Sequence, residues 1–251
     1  KVVVIDVTSA FCNTLNINTG SNSNDVKVGP NTLTIAGTLT INSPTAANKN
    51  KIVSVTSGTL NCGASVMGNS ATGTEDCRVT ITSGILNVSG NITMNGVASE
   101  NQILIDGTVS LGGTLNLGGN FIGGGGDIVS LNNNSIVNFN GMSAQTIPMN
   151  ATFVYNNIVI NNTSGATLSA AITALRVTGN ITVQTGILNN GGFGIVGNIA
   201  KTFTVANGAS FILGGTTSAF PSVFGTITLG ATSIVEYKGT GNQPIFDVVS
   251  P

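Results

Sequence analysis

From Val177 to Gly214 the chain alternates apolar and polar residues for four or five positions, turns at Gly or Asn-Gly, and then resumes the alternation. Ile181 and Val183 alternate with Thr182 and Gln184, and Phe203 and Val205 with Thr202 and Thr204. Thr185-Gly186-Ile187-Leu188 and Asn207-Gly208-Ala209-Ser210-Phe211 hold matching places, their glycines 22 residues apart. Alternation with period two makes strands that bury one face. The same short pattern recurring every 20-odd residues predicts a coil of strands, each turn stacked on the last.

One apolar position per copy extends the pattern over the chain: Leu15, Leu39, Leu60, Leu86, Val109, Ile136, Leu168, Leu188, Phe211 and Ile234. The gaps run from 20 to 32 residues, with a mean of about 24, which suits a three-sided coil of short strands with loop insertions. A second likeness is independent of that choice. Ser135-Ile136-Val137-Asn138-Phe139-Asn140-Gly141, followed by Gln145 and Ile147, resembles Ser233-Ile234-Val235-Glu236-Tyr237-Lys238-Gly239, followed by Gln243 and Ile245, at an offset of 98 residues. The expected fold is therefore all-β: a parallel β-solenoid (β-helix) of about ten rungs of roughly 20–27 residues. It occupies residues 1–251 as a single segment, with Leu60, Leu86, Val109, Leu188, Phe211 and Ile234 stacked inside.

Composition narrows the function. Charged residues make up only 7% of the 251 and the net charge is −1. Nucleic acid needs a Lys/Arg stripe to neutralise phosphate, so it is not an expected partner. A polybasic membrane contact is not expected either. No apolar run approaches the ~20 residues of a spanning helix, so membrane insertion is not expected. Recurrent Gly and the lack of any i, i+3, i+4 pattern argue against helices.

Three cysteines stand at Cys12, Cys62 and Cys77. The last two bracket a Gly/Ser/Thr-rich stretch, 63–76, read as a loop insertion. They read either as a disulfide pinning that insertion or as two small buried side chains. The disulfide is the expectation tested below. With no histidine and no CxxC, neither a zinc site nor any other metal or cofactor is expected.

In chain order, Lys1–Val7 reads as a strand without the cleavage site or apolar segment of a signal peptide. The chain lacks an initial Met, so a mature or excised piece of a longer repetitive protein is expected. Asn31–Asn42 reads as two strands around Gly37, and Ser43–Lys51 as a polar loop. Gly123–Gly126 reads as a turn rather than a phosphate cradle, since no helix and no Gly-Lys-Ser/Thr follows. The last copy breaks off at Pro251. An open strand edge is expected there, with Ser233, Tyr237, Gln243 and Ile245 near an end-to-end junction.

The stretch SIVNFNG…QTIP…TFVYNNIVINNTSGATLSAAITALRVTGNITVQTGILNNGG resembles the repetitive β-solenoid regions of large secreted surface proteins of Bacteroidetes. The likeness covers about Leu15 to Ile245. It implies an extracellular or outer-surface location, adhesin-like or stalk-like roles, and export by the type IX system. It names no catalytic or ligand-binding residue.

Carboxylates are scattered, apart from Glu75-Asp76 in the insertion. A glycosidase needs two within roughly 5–10 Å. Asp106 and Asp127, 21 residues apart, read as two turn residues, with stacking on adjacent rungs as the enzymatic alternative. An isolated calcium at Glu75-Asp76 is a second alternative. Thr38 and Thr40, Thr80 and Thr82, Thr202 and Thr204, and Thr226 and Thr228 face away from the apolar residues, as in a flat ice-binding array. Threonine is equally a common solvent-facing strand residue. The function expected is a non-catalytic structural or adhesive segment. Its partners would be further parts of the same chain, identical subunits end to end, or glycans. The alternatives are a glycan-active β-helix enzyme and an ice- or glycan-binding solenoid.

Overall fold

The computed structural model describes residues 1–46, 48–68, 76–95, 101–105, 112–123, 128–131, 134–216 and 218–246. They form a parallel β-solenoid of about 8 turns, the all-β fold expected. The chain divides into two compact units: Lys1–Asn138 with Thr152–Asn156, and Phe139–Ala151 with Asn157–Pro251.

The first unit has three sides. One is a parallel sheet of Val2–Ile5, Asn24–Val28, Asn50–Val55, Asp76–Ile81, Asn101–Ile105, Ile128–Leu131 and Phe153–Val154, in that order. The other two come from strands that bend. Thr32–Ile41 pairs through its first half with Ser9–Cys12 and through its second half with Leu15–Ile17. Thr59–Met67 pairs likewise with Ile85–Val88 and then Ile92–Met94. The bend lies at Ala36-Gly37, where pairing with Thr59–Met67 slips by one residue between Ile35 and Thr38. The two strands expected around Gly37 are thus one strand crossing a corner, a β-bulge that redirects the chain from one side to the next.

Alternation places the core. Leu33, Leu60, Leu86 and Leu115 stack in register on successive strands and are all buried. Ile35, Cys62, Val88 and Leu117 form the next inward line. Each large aliphatic side chain so buried contributes roughly 1.5–3 kcal/mol. Ordering one turn of backbone costs about 1–2 kcal/mol per residue. No turn stands without its neighbours, and that is why the repeats come as an array.

The second unit repeats the design. Gln145–Ile147 pairs with the end of Asn157–Leu168, which pairs with Ile181–Asn189. Thr202–Val205 and Ser210–Leu213 both pair with Ile181–Asn189, then carry Thr226–Leu229 and Ile234–Tyr237 respectively. Its third side is held by the bridges Ile172↔Ile195 and Val196↔Ser222. Gly186, at φ 82°, turns the corner within Ile181–Asn189, where a Cβ would collide with the carbonyl oxygen of Asn162.

Several expectations need correction. Leu60, Leu86, Leu188 and Phe211 are buried as expected, but Ile234 is 58% exposed. Ser210 pairs with Ile234 and Phe211 with Val235, so the inward residue of that strand is Val235. The same slip applies to Ile136, because Val137 is the buried residue there. Leu188 lies against Ala166 rather than Leu168. A shift of one residue exchanges the two faces of a strand, and two adjacent apolar residues leave that choice open to sequence reasoning. Val109 lies outside the described residues. Of the expected insertion 63–76, residues 63–67 continue a strand and Asp76 begins another, while 69–75 lie outside the described residues.

Candidate functional site: the polar lines of the coil

Between the two inward lines of the first unit runs an outward one. Thr34, Asn61, Asn87 and Asn116 occupy it in register. Their side chains are linked from turn to turn. Asn61 Nδ2 donates to Thr34 Oγ1 at 3.1 Å, Asn87 Nδ2 to Asn61 Oδ1 at 2.7 Å, Asn116 Nδ2 to Asn87 Oδ1 at 2.7 Å, and Asn138 Nδ2 to Asn116 Oδ1 at 2.9 Å. Strand spacing of about 4.8 Å brings identical amides within hydrogen-bond reach, as in the amide ladders of cross-β stacks. An amide has two N–H donors and two acceptor lone pairs. The ladder uses one of each at Asn61, Asn87 and Asn116, which leaves capacity for water or a neutral polar ligand.

Other asparagines hold the corners. Asn91 Oδ1 accepts the backbone N–H of Asn120 at 2.8 Å, Asn157 Oδ1 that of Asn180 at 3.0 Å, and Asn180 Oδ1 that of Thr202 at 2.9 Å. Each bond ties one turn to the next. Aspartate would accept the same bonds, but stacked carboxylates this close repel one another. The scarcity of charge and the wealth of Asn share this cause.

The structure does not form the expected disulfide. Cys62 and Cys77 are thiols outside any disulfide, on different sides of the first unit. Cys62 sits in Thr59–Met67, between Ile35 and Val88. Cys77 sits in Asp76–Ile81, opposite Lys51, with its Sγ 3.6 Å from Ser43 Oγ. Both are buried inward residues, the reading in which they serve as small apolar side chains. Burial pushes the Cys62 thiol up from 9.0 to about 12, so it is not a nucleophile at neutral pH. Burial likewise raises the Tyr155 phenol well above its usual range.

Lys51, expected in a polar loop, points inward from Asn50–Val55 and is only 2% exposed. Its Nζ donates to the backbone oxygen of Asn22 and to Asn24 Oδ1, both at 2.6 Å. It has no carboxylate partner among the described residues. Burial lowers its pKa, opposed by the neighbouring Cys77. It borders a cavity of about 360 Å³ in the first turn, floored by Val3, Leu15, Ile17 and Val26. Sequence reasoning missed Lys51 because a charged residue at an inward position looks like loop.

The residues expected at an assembly edge bond within their own turn and to the turn before it. Gln243 Oε1 accepts the Gly239 N–H at 2.6 Å, and its Nε2 donates to the backbone oxygens of Leu213 and Ser218, each at 3.2 Å. Tyr237 Oη accepts the Phe246 N–H at 2.7 Å, and Ser233 Oγ donates to the Gly230 oxygen at 2.7 Å. Ile245 alone stands out, 81% exposed. Thr226–Leu229 and Ile234–Tyr237 each pair on one edge only among the described residues. The 98-residue likeness has a structural counterpart: Gln145 Oε1 accepts the Gly141 N–H at 2.8 Å, the bond Gln243 makes to Gly239.

Asp106, Asp127 and Glu75 lie outside the described residues. Threonines line up over three strands of the second unit, Thr182 on Thr204 on Thr228 and Thr202 on Thr226. In the first unit Thr38 faces Ala64, Thr40 faces Val66 and Thr80 faces Ser54, so these expected threonines form no column among the described residues, although Thr32 pairs with Thr59.

The class this geometry defines is a parallel β-solenoid joined by uncharged side-chain ladders. Comparisons with protein-family models, with curated proteins and with solved structures found no match to this chain.

Proposed function

We propose that the chain is a non-catalytic structural and adhesive segment of an extracellular protein at a bacterial surface. The observation that carries this reading is the ladder from Thr34 to Asn138. Its polar groups bind turn to turn instead of gathering in a cleft, and they remain able to hydrogen-bond neutral partners such as glycans. Further parts of the same chain or identical subunits end to end are the other partners proposed. The likeness to Bacteroidetes surface solenoids, with their adhesin roles and type IX export, points the same way. The Thr182–Thr204–Thr228 column supports a second reading, glycan or ice binding.

The test is incubation with a panel of soluble and insoluble polysaccharides, scoring retention and new chain ends together. Retention without new ends is expected. Cleavage that disappears in Asp106→Asn or Asp127→Asn would overturn the proposal in favour of a glycan-active enzyme.

A further inference from the structure

Two lines of outward residues run side by side over the turns of the first unit that carry the amide ladder. Phe11, Thr34, Asn61, Asn87 and Asn116 follow one another in register on successive strands. Beside them Thr32, Thr59, Ile85 and Thr114 do the same. Together they make a strip two residues wide, with about 4.8 Å from one strand to the next.

Three features of the strip bear on what it receives. None of its residues is charged, whereas another side of the same unit turns Asp25, Lys27 and Arg78 outward, next to the buried Val26, Cys77 and Val79. At its end, in line with the ladder, Phe11 is 70% exposed, against 37% for Phe193, the next most exposed aromatic described. A single exposed apolar residue is ordinary. One that continues a row of amides sets a ring face beside hydrogen-bonding groups, and a pyranose offers the complement, C–H faces and hydroxyl edges. Finally, Asn61, Asn87 and Asn116 each keep one N–H and one lone pair beyond the ladder, repeated at every turn. A ligand that meets all three has a repeat close to the strand spacing.

We infer that an extended, uncharged, β-linked polysaccharide lies along this strip from turn to turn. One sugar ring stacks on Phe11, hydroxyls meet the remaining amide capacity of Asn61, Asn87 and Asn116, and the methyl groups of Thr59, Ile85 and Thr114 lie against the rings. The inference rests on the adhesive reading above and gives it a ligand class and a site. A sugar in an extended β-linked chain is close in length to the strand spacing, so successive rings can follow successive turns. An α-linked chain coils and leaves the line. A uronate polymer brings a charge with each ring and finds no cation on the strip. A protein partner fits less well, because protein hot spots favour Trp, Tyr and Arg, and the strip has one Phe and no Arg.

The test is calorimetric titration of the whole chain with cellohexaose, cellobiose, maltohexaose and an oligogalacturonate. Cellohexaose is expected to bind, at least about tenfold tighter than cellobiose because it engages more turns, and equally well at about 1 M salt. Phe11→Ala should weaken it severalfold. Thr59→Lys/Thr114→Lys should weaken it about tenfold, because a bound chain would strip water from two ammonium groups. Thr204→Lys, in the second unit, should leave it unchanged. All these positions lie outside the core, and unchanged circular dichroism and melting temperature would show that the variants fold. No binding of cellohexaose, equal binding of maltohexaose or oligogalacturonate, or indifference to the Phe11 and Thr59/Thr114 substitutions would overturn the inference. Retention on insoluble polysaccharide that survives these substitutions would overturn this site while leaving the adhesive reading in place.

Discussion

The side-chain amide of Asn87 donates to Oδ1 of Asn61 at 2.7 Å, across 26 residues of chain. On its other side Asn87 Oδ1 accepts from Asn116. Asn87→Ala removes both bonds, and at roughly 0.5–1.5 kcal/mol each the expected loss is about 1–3 kcal/mol by urea denaturation. Asn87→Asp can still accept from Asn116 but cannot donate to Asn61 when ionised. Its ionised form then faces Asn61 Oδ1, so its folded pKa should rise. The variant should be as weak as Asn87→Ala at pH 7 and recover as pH falls through the carboxylate range. Wild-type stability in either variant would remove the ladder from the list of what holds the turns.

Thiol labelling separates the two readings of the cysteines. Cys12 is half-buried, and Cys62 and Cys77 are buried and not joined in a disulfide. Iodoacetamide at pH 8 should modify Cys12 in the native chain and all 3 thiols in denaturant, with no reductant added. Two thiols that label only after reduction would restore the disulfide.

Lys51 sets a pH dependence. Its folded pKa lies below the ordinary 10.5, so the unfolded chain binds the proton more tightly. The burial penalty is therefore full below the folded pKa, fades as pH rises towards 10.5, and is gone above it. The stability of the wild type minus that of Lys51→Met should rise with pH across that window. Cys62 is present in both chains, so its own titration cancels in the difference. A flat difference between pH 7 and 10.5 would show the ammonium to be well solvated.

The two equivalent glutamines should not be equivalent in cost. Gln145 is buried and also accepts from Asn162 Nδ2 at 2.8 Å, whereas Gln243 is half-buried. Gln145→Ala leaves the buried Asn162 amide short of an acceptor and should lower the melting temperature more than Gln243→Ala. The reverse order in a thermal scan would contradict this assignment.

Gly186→Ala should destabilise by more than 1 kcal/mol, because φ 82° and the Asn162 carbonyl leave no place for a methyl group. Gly208, at φ 75° with open space beside it, should tolerate the same change better. Equal costs by chemical denaturation would mean that the conformation alone, without the clash, sets the effect.

Much of this architecture could be read from the chain. Alternation such as Ile181-Thr182-Val183 and Phe203-Thr204-Val205 determines which residues turn inward, because a strand has only two faces. Its recurrence at 20-odd residues determines a coil, because such short strands bury their apolar faces only against one another. Tertiary structure decided what depends on register. Between turns run linkers of unequal length, so spacing cannot say whether Ile234 or Val235 meets Phe211, or that Asn61, Asn87 and Asn116 stand in one line. Those choices belong to backbone hydrogen bonds between strands and to packing across the core. The same holds for Cys62 and Cys77, near in sequence but set on different sides by the corner between their strands. It holds for Lys51 too, whose inward place is tolerable only because Asn22 and Asn24 on the preceding turn supply acceptors that its own sequence neighbours do not.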